Sequence, residues 1–202
     1  MKSLDPRVTR LPAEYEGKVT AKAPLDQFGT YEVFVQAREG KPFQHEGIVH
    51  APNLEMAYVL AKEAFTRRFT CVSLYVVDTR DVYVSPMTEH DANAYDQVED
   101  AGGSGAEESF EVFHLLKRGK QHQHVGTVSA SNAAHAMSRA KETLRDDKLV
   151  FNIWAIPTAQ IRFTQPGDLD LWTTLPEKKF RDAINYKGGD KLKEFLERQK
   201  HK

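Results

Sequence analysis

The chain has 202 residues, 40% of them hydrophobic and 28% charged, with 28 Lys and Arg against 29 Asp and Glu. That length accommodates one domain or two small ones, and the near-zero net charge excludes a general electrostatic pull on nucleic acid or an anionic membrane. One cysteine, Cys71, rules out an intramolecular disulfide and a cysteine-built zinc site. The first twenty residues hold no continuous apolar stretch, and no apolar run approaches the ~18 residues of a membrane helix, so a cytoplasmic protein is expected.

Residues 1–29 are polar and lack clear periodicity, which predicts an extended or partner-ordered segment. From Tyr31 the pattern alternates. Tyr31, Val33 and Val35 point one way, Glu32, Phe34 and Gln36 the other, as in a strand. The turn residues of AREGKPF and the extended HEGIVHA that follows predict a hairpin. Asn53 stands where a helix N-cap is wanted, and Leu54, Ala57, Tyr58, Ala61, Ala64 and Phe65 form one stripe whose alanines let a helix lie close to a sheet. Val72 to Val77 is strongly β-forming, and a shorter β segment follows near Val82 to Val84. Residues 86–109 then carry seven acidic residues, no Lys or Arg, and AGGSGA, which predicts an acidic flexible linker.

After the linker the same elements return at a constant shift of 79 positions. Without a gap, YEVF (Tyr31 to Phe34) falls on FEVF (Phe110 to Phe113) and QHEGIVHA (Gln44 to Ala51) on QHVGTVSA (Gln123 to Ala130). Asn53 falls on Asn132, and AKE (Ala61 to Glu63) on AKE (Ala140 to Glu142). Ala133, Ala136, Met137, Ala140 and Leu144 repeat the helix stripe; Leu149 to Ile156 and Ile161 to Phe163 repeat the last strands. Two copies are too few for a solenoid and read as a homodimer fused into one chain. The expected fold is α+β: two pseudo-symmetric β-β-α-β units, residues 30–85 and 110–164, each an antiparallel sheet with one helix packed on it. Residues 165–202 follow as a C-terminal helical extension, with amphipathic stretches starting at Pro176 and Asp190.

Candidate chemistry is sparse. His45 and His124 match between the copies, and His122 lies two residues before the latter, so a strand would put His122 and His124 on one face, where they could chelate a metal. Copy one has Phe43 in place of His122, which favours polar hairpin or interface roles. Glu111 and His114 have the E-x-x-H spacing of di-iron ligands on a helix, but on a strand they point to opposite faces. There is no G-x-S-x-G elbow and no phosphate-cradling glycine loop, and Cys71, matched by Val150, reads as a small core residue. Tyr31, Phe34, Phe110 and Phe113 could stack on bases, but few Lys or Arg surround them, so they read as sheet core. Arg67 and Arg68 are replaced in copy two by Asp146 and Asp147, a charge reversal that suggests a docking surface on one copy. No catalytic, cofactor or metal residues are assigned; the candidate partner-binding residues are Arg67, Arg68, His45 and His124.

Tyr31 to Val35, His45 to Gly47 and the helix end Phe65 to Arg68 resemble the Y-E-V-F-V opening, the H-x-G hairpin and the Y-T-R-R-like motif of the PaaB family, the B subunits of phenylacetyl-CoA monooxygenase (epoxidase). Copy one carries the resemblance well and copy two more weakly, having Arg145-Asp146-Asp147 where the Thr-Arg-Arg motif would fall. The resemblance implies a non-catalytic, cofactor-free subunit that bridges larger assemblies of a di-iron catalytic A-type subunit and a structural C-type subunit, to which a separate reductase delivers electrons. Nucleic acid and membrane are not expected partners. The alternatives are a stand-alone small-ligand or metal-binding α+β protein and, more remotely, an RNA-binding module.

Overall fold

Each of the two sequence units folds as a hairpin, a helix and a third strand. In the computed structural model, which describes residues 28–66, 71–168 and 188–200, the first unit comprises β1 (Gly29–Gln36), β2 (Gln44–Ala51), α1 (Leu54–Phe65) and β3 (Ser73–Asp78). A two-residue strand, β4 (Tyr83–Val84), follows. The second unit repeats the order with β5 (Glu108–Leu115), β6 (Gln123–Ala130), α2 (Ala133–Thr143), β7 (Asn152–Pro157) and β8 (Arg162–Phe163). A last helix, α3, spans Gly188–Lys200. The expected helical start at Pro176, most of the N-terminal segment, and Arg67 and Arg68 lie outside the described residues.

Local chemistry explains the elements. The side chains of Asn53 and Asn132 accept from the backbone N–H of Met56 and His135, each at 2.9 Å, satisfying one free donor in the first turn of each helix. Such a cap is worth about 1 kcal/mol. The hairpin turns hold Gly40 and Gly119 at φ +74° and +73°, a left-handed conformation that costs glycine little. In each hairpin the register slips, between Val33 and Phe34 opposite β2 and between Val112 and Phe113 opposite β6. This bulge turns His45 and Gly47 toward opposite faces, although two residues apart on a regular strand would share one. A side chain at Gly47 would meet the Phe65 ring at 3.1 Å, and its φ of +145° also favours glycine. Absence of a Cβ there lets α1 lie close on the sheet.

All described strands join one antiparallel sheet in the order β4-β7-β5-β6-β2-β1-β3-β8. The short final strands are exchanged. β4 leaves the first unit to pair with β7 of the second, Tyr83 opposite Ala155 and Val84 opposite Trp154. β8 leaves the second unit to pair with β3 of the first, Tyr75 opposite Phe163 and Val76 opposite Arg162. The units meet where Gln44 of β2 faces Gln123 of β6. Backbone bonds from His45 N–H to the His122 carbonyl (2.9 Å) and from His124 N–H to the Phe43 carbonyl (2.8 Å) flank that pair symmetrically. A pseudo-two-fold axis therefore runs between the two glutamines.

Each helix packs on the outer face of its own unit. Ala57, Tyr58 and Ala61 of α1 are buried with Tyr31, Val33, Val35, Val49, Leu74 and Val76. Ala136 and Ala140 of α2 are buried with Phe110, Val112, Val128, Val150 and Ile153. Ala64, expected on the α1 stripe, is instead exposed, because at its position in the last turn the helix surface faces away from the sheet. Part of the acidic segment is ordered on the second unit: Ala94–Gln97 form a 3-10 turn, and Ala94 and Tyr95 are wholly buried in the α2 core. Asn93 caps that turn, and Lys141 of α2 donates to the Val98 carbonyl at 2.9 Å. Apolar burial of Tyr95 outweighs the composition that marks this stretch as spacer.

Candidate functional site

The opposite face of the sheet is where the matched histidines lie. Adjacent strands are about 4.8 Å apart, so in a flat sheet β1 and β5, three steps apart, would be separated by roughly 14 Å. Yet Phe34 of β1 and Phe113 of β5 pack with ring centroids 4.4 Å apart, and His45 of β2 lies 4.9 Å from Trp154 of β7. The sheet must bend over at the β2–β6 junction, closing the inner faces of the two units on each other. Phe34, Phe43, Val77, Phe113, Ile156 and Ile161 form the buried layer between them.

At each side of this layer sits an equivalent clasp, built on a carboxylate from the first strand of each unit. Glu32 accepts from His45 Nε2 at 2.7 Å and from the Thr79 hydroxyl at 3.0 Å. Glu111 accepts from His124 Nε2 at 2.7 Å and from the Thr158 hydroxyl at 3.0 Å, and also from Thr127 at 2.9 Å. Ile48 occupies the Thr127 position of the first unit, so Glu32 lacks the third donor. Burial works to raise the Glu111 carboxyl, but the hydrogen bonds from His124, Thr127 and Thr158 outweigh it and hold the group below its ordinary value. The clasp ties β1 to β2 and to the turn after β3, and β5 to β6 and to the turn after β7.

The remaining histidines are placed differently in the two units. His122 stacks on Trp154 at 4.0 Å and bonds to Asn152 Oδ1 at 2.8 Å; burial lowers its pKa, partly offset by that bond. Phe43 stacks on Tyr75 at 3.5 Å in the equivalent place, so one aromatic pair has become a polar one. His114 faces the helix side, away from Glu111, and its Nε2 is hydrogen-bonded to the Tyr95 hydroxyl at 2.5 Å. The separation of Glu111 from His114 follows the strand geometry expected.

What this arrangement can do chemically is narrow. The imidazoles of His45 and His124 are engaged by carboxylates, and among the described residues no serine or cysteine nucleophile hydrogen-bonds to them. Burial pushes the Cys71 thiol up to about 11, partly countered by a backbone bond at Ser73, so it stays a protonated, packed group. Among the described residues no group of three or more His, Cys, Asp or Glu side chains could hold a metal, and no helix is long and apolar enough to cross a membrane. Of the four candidate partner-binding residues, His45 and His124 are clasp members on the inner face, and Arg67 and Arg68 lie outside the described residues. Sequence reasoning missed the clasp partners, although Glu32 and Glu111, and Thr79 and Thr158, are unchanged at the 79-residue shift.

Fold and site together define an internally duplicated α+β scaffold, a two-fold pseudo-dimer within one chain. The family model described as PaaB, phenylacetic acid degradation B, matches residues 27–100 and again 107–193, and the chain belongs to that family. Over 59 residues it is 37% identical to the B subunit of the 1,2-phenylacetyl-CoA epoxidase of Escherichia coli (strain K12). That alignment covers 29% of this chain and 62% of the relative, so the chain spans less than two thirds of the relative's length. No solved structure matches the chain.

Proposed function

We propose that this protein is a non-catalytic bridging subunit of a multicomponent di-iron oxygenase that acts on phenylacetyl-CoA in phenylacetate degradation, working in the cytoplasm. The observation that carries this reading is the pairing of two PaaB units in one sheet with exchanged end strands, which offers two quasi-equivalent outer surfaces held at a fixed separation. A rigid two-headed scaffold suits the joining of larger subunits, and its inner histidines serve the scaffold rather than chemistry. On this reading the di-iron centre belongs to an A-type partner, a C-type subunit supports it, and a reductase supplies electrons. The charge reversal from Arg67-Arg68 to Asp146-Asp147 makes the two heads unequal, with the arginine-bearing one docking an acidic partner surface.

Co-expression of the full chain with its neighbouring oxygenase subunits, followed by affinity capture and native mass measurement, tests the reading. A stoichiometric complex that weakens when Arg67→Asp and Arg68→Asp are combined, with the thermal unfolding of the isolated chain unchanged, is expected. Reproducible failure of the wild-type chain to associate would overturn it.

A further inference from the structure

The strands β2 and β6 share a border only at its start. Gln44 and Gln123 are the single residue pair between them, and the backbone bonds from His45 and His124 close that corner. Beyond it the two strands run apart in opposite directions, as antiparallel neighbours do once pairing stops. Residues 46–51 of β2 and 125–130 of β6 each pair with their own hairpin partner on one side, and among the described residues no backbone bond reaches them from the other.

Which groups face outward follows from the ladder, because the backbone N–H and C=O of successive residues point to alternate sides of a strand. The His124 N–H is directed at β2, so its β5 partner Phe113 is turned toward β7, and Glu111 and Ser109, two and four residues earlier, turn the same way. Their β6 partners Thr127 and Ser129 therefore direct N–H and C=O away from the hairpin. The same count along β1 from the partner of His45 leaves Ile48 and His50 so directed. The bulges fall before these residues, at the corner, and all four side chains are exposed. Two devices that protect natural sheet edges against strand addition, lysine and proline, are missing from both runs, and the second run, VGTVSA, has no charge at all. By contrast, β3 and β7 are bordered by the exchanged strands.

We propose that each free edge takes one extended segment of a partner subunit, added as a strand against Ile48 and His50 in the first unit and against Thr127 and Ser129 in the second. This deepens the bridging reading and rests on it. Backbone pairing supplies affinity and the exposed side chains supply selection: the first edge offers Ile48, 48% exposed, and the second offers the hydroxyl-bearing Thr127 and Ser129. The segment that fits is as long as each run, uncharged, rich in β-branched residues and free of proline. The pseudo-two-fold axis presents the edges in opposite directions, so two partners of one kind are held apart, one at each. A second copy of this chain is a poor occupant, because with two edges per chain the edge-to-edge contact does not close and runs on into a filament.

Residue-resolved hydrogen exchange on the full chain, alone and in its co-expressed complex with the neighbouring oxygenase subunits, tests this. Alone, the Ile48, His50, Thr127 and Ser129 amides should exchange at least about tenfold faster than those of Val49 and Val128 between them, which are bonded within the hairpins; in the complex the four should slow at least about tenfold. His50→Pro combined with Ser129→Pro removes one outward N–H from each edge and spares the hairpin bonds, and should weaken the complex at least about tenfold. His50→Ala with Ser129→Ala keeps both N–H groups and should bind as the wild type does. If the proline variant does not fold, the wild-type exchange pattern decides alone. Protection of the four amides in the isolated chain, filaments of that chain, a complex in which the four stay open, or equal binding by folded proline and alanine variants would overturn the inference and leave the bridging reading intact. Failure of the wild-type chain to form any complex would overturn both.

Discussion

The rings of Phe34 and Phe113 meet at 4.4 Å from strands that are not neighbours in the sheet, and both side chains are wholly inaccessible to solvent. This contact closes the two units on each other, so its loss should be felt by both. Truncating either ring to alanine removes a buried aromatic and leaves a cavity at the pseudo-symmetry axis, costing about 3–5 kcal/mol. Urea titrations of Phe34→Ala, Phe113→Ala and the double variant should show clear non-additivity, as for residues sharing one cavity. Strictly additive losses would mean that the sheets do not pack through this pair.

The two clasps should differ in how much they depend on histidine. With His124 gone, Glu111 keeps the Thr127 and Thr158 hydroxyls; with His45 gone, Glu32 keeps only that of Thr79. Leaving a buried acceptor short of donors costs about 1–3 kcal/mol, so His45→Ala should be the more damaging of the two. Chemical denaturation at pH 7 gives the comparison, and the reverse ranking would refute the donor argument.

On the acid side the Glu111 carboxyl, held below its ordinary value, contributes stability that is present above the unfolded value and fades as pH drops through the folded one. Glu111→Gln should accordingly be less stable than wild type near neutrality and flatten the fall in stability below about pH 4.5. Parallel pH curves for the two proteins would sink the assignment.

Burial pushes His114 down to about 4, with Lys148 and His122 acting in the same direction and Asp146 opposing. In the folded protein it therefore stays neutral between about pH 6.5 and 4, while the unfolded chain takes up a proton there. Stability should decline across that interval by up to roughly 3 kcal/mol on account of this group alone. Replacing both partners of the buried bond, His114→Phe with Tyr95→Phe, should cost little at pH 7 and remove most of that slope. A slope unchanged by the double variant would show that other groups cause it.

Exchange of the end strands makes the halves interdependent. A chain split within Ala101 to Ala106 should give two fragments that are poorly folded apart and assemble into a one-to-one complex when mixed, observable by circular dichroism and size exclusion. Fragments that each unfold cooperatively and fail to associate would contradict the exchanged pairing.

Much of this could be read in advance wherever the determining forces are local. Alternation on Tyr31 to Gln36, the caps at Asn53 and Asn132 and the apolar stripes depend on near neighbours, and the duplication supplied each signal twice. The exchange could not be read, because a two-residue strand such as Tyr83–Val84 satisfies the same pattern whether it pairs within its unit or across to the other. Tyr95 was obscured for a different reason: a single large buried ring decides the placement of a stretch otherwise dominated by acidic, polar and small residues. The clasp was legible in principle, since the repeat is itself an alignment of two sequences and leaves Glu32, His45 and Thr79 unaltered in the second copy.

The way the sheet terminates has a further meaning. Six-residue strands such as β3 and β7, left at a border, would expose rows of free backbone donors and acceptors to any passing chain. Each is instead hemmed by a two-residue strip on loan from the opposite half, too short to template further growth. During synthesis the hem for β3 arrives only with the last part of the second half. The nascent first half must therefore emerge with a sticky border, which makes the interval between the two copies the moment of greatest risk of misassembly for this molecule.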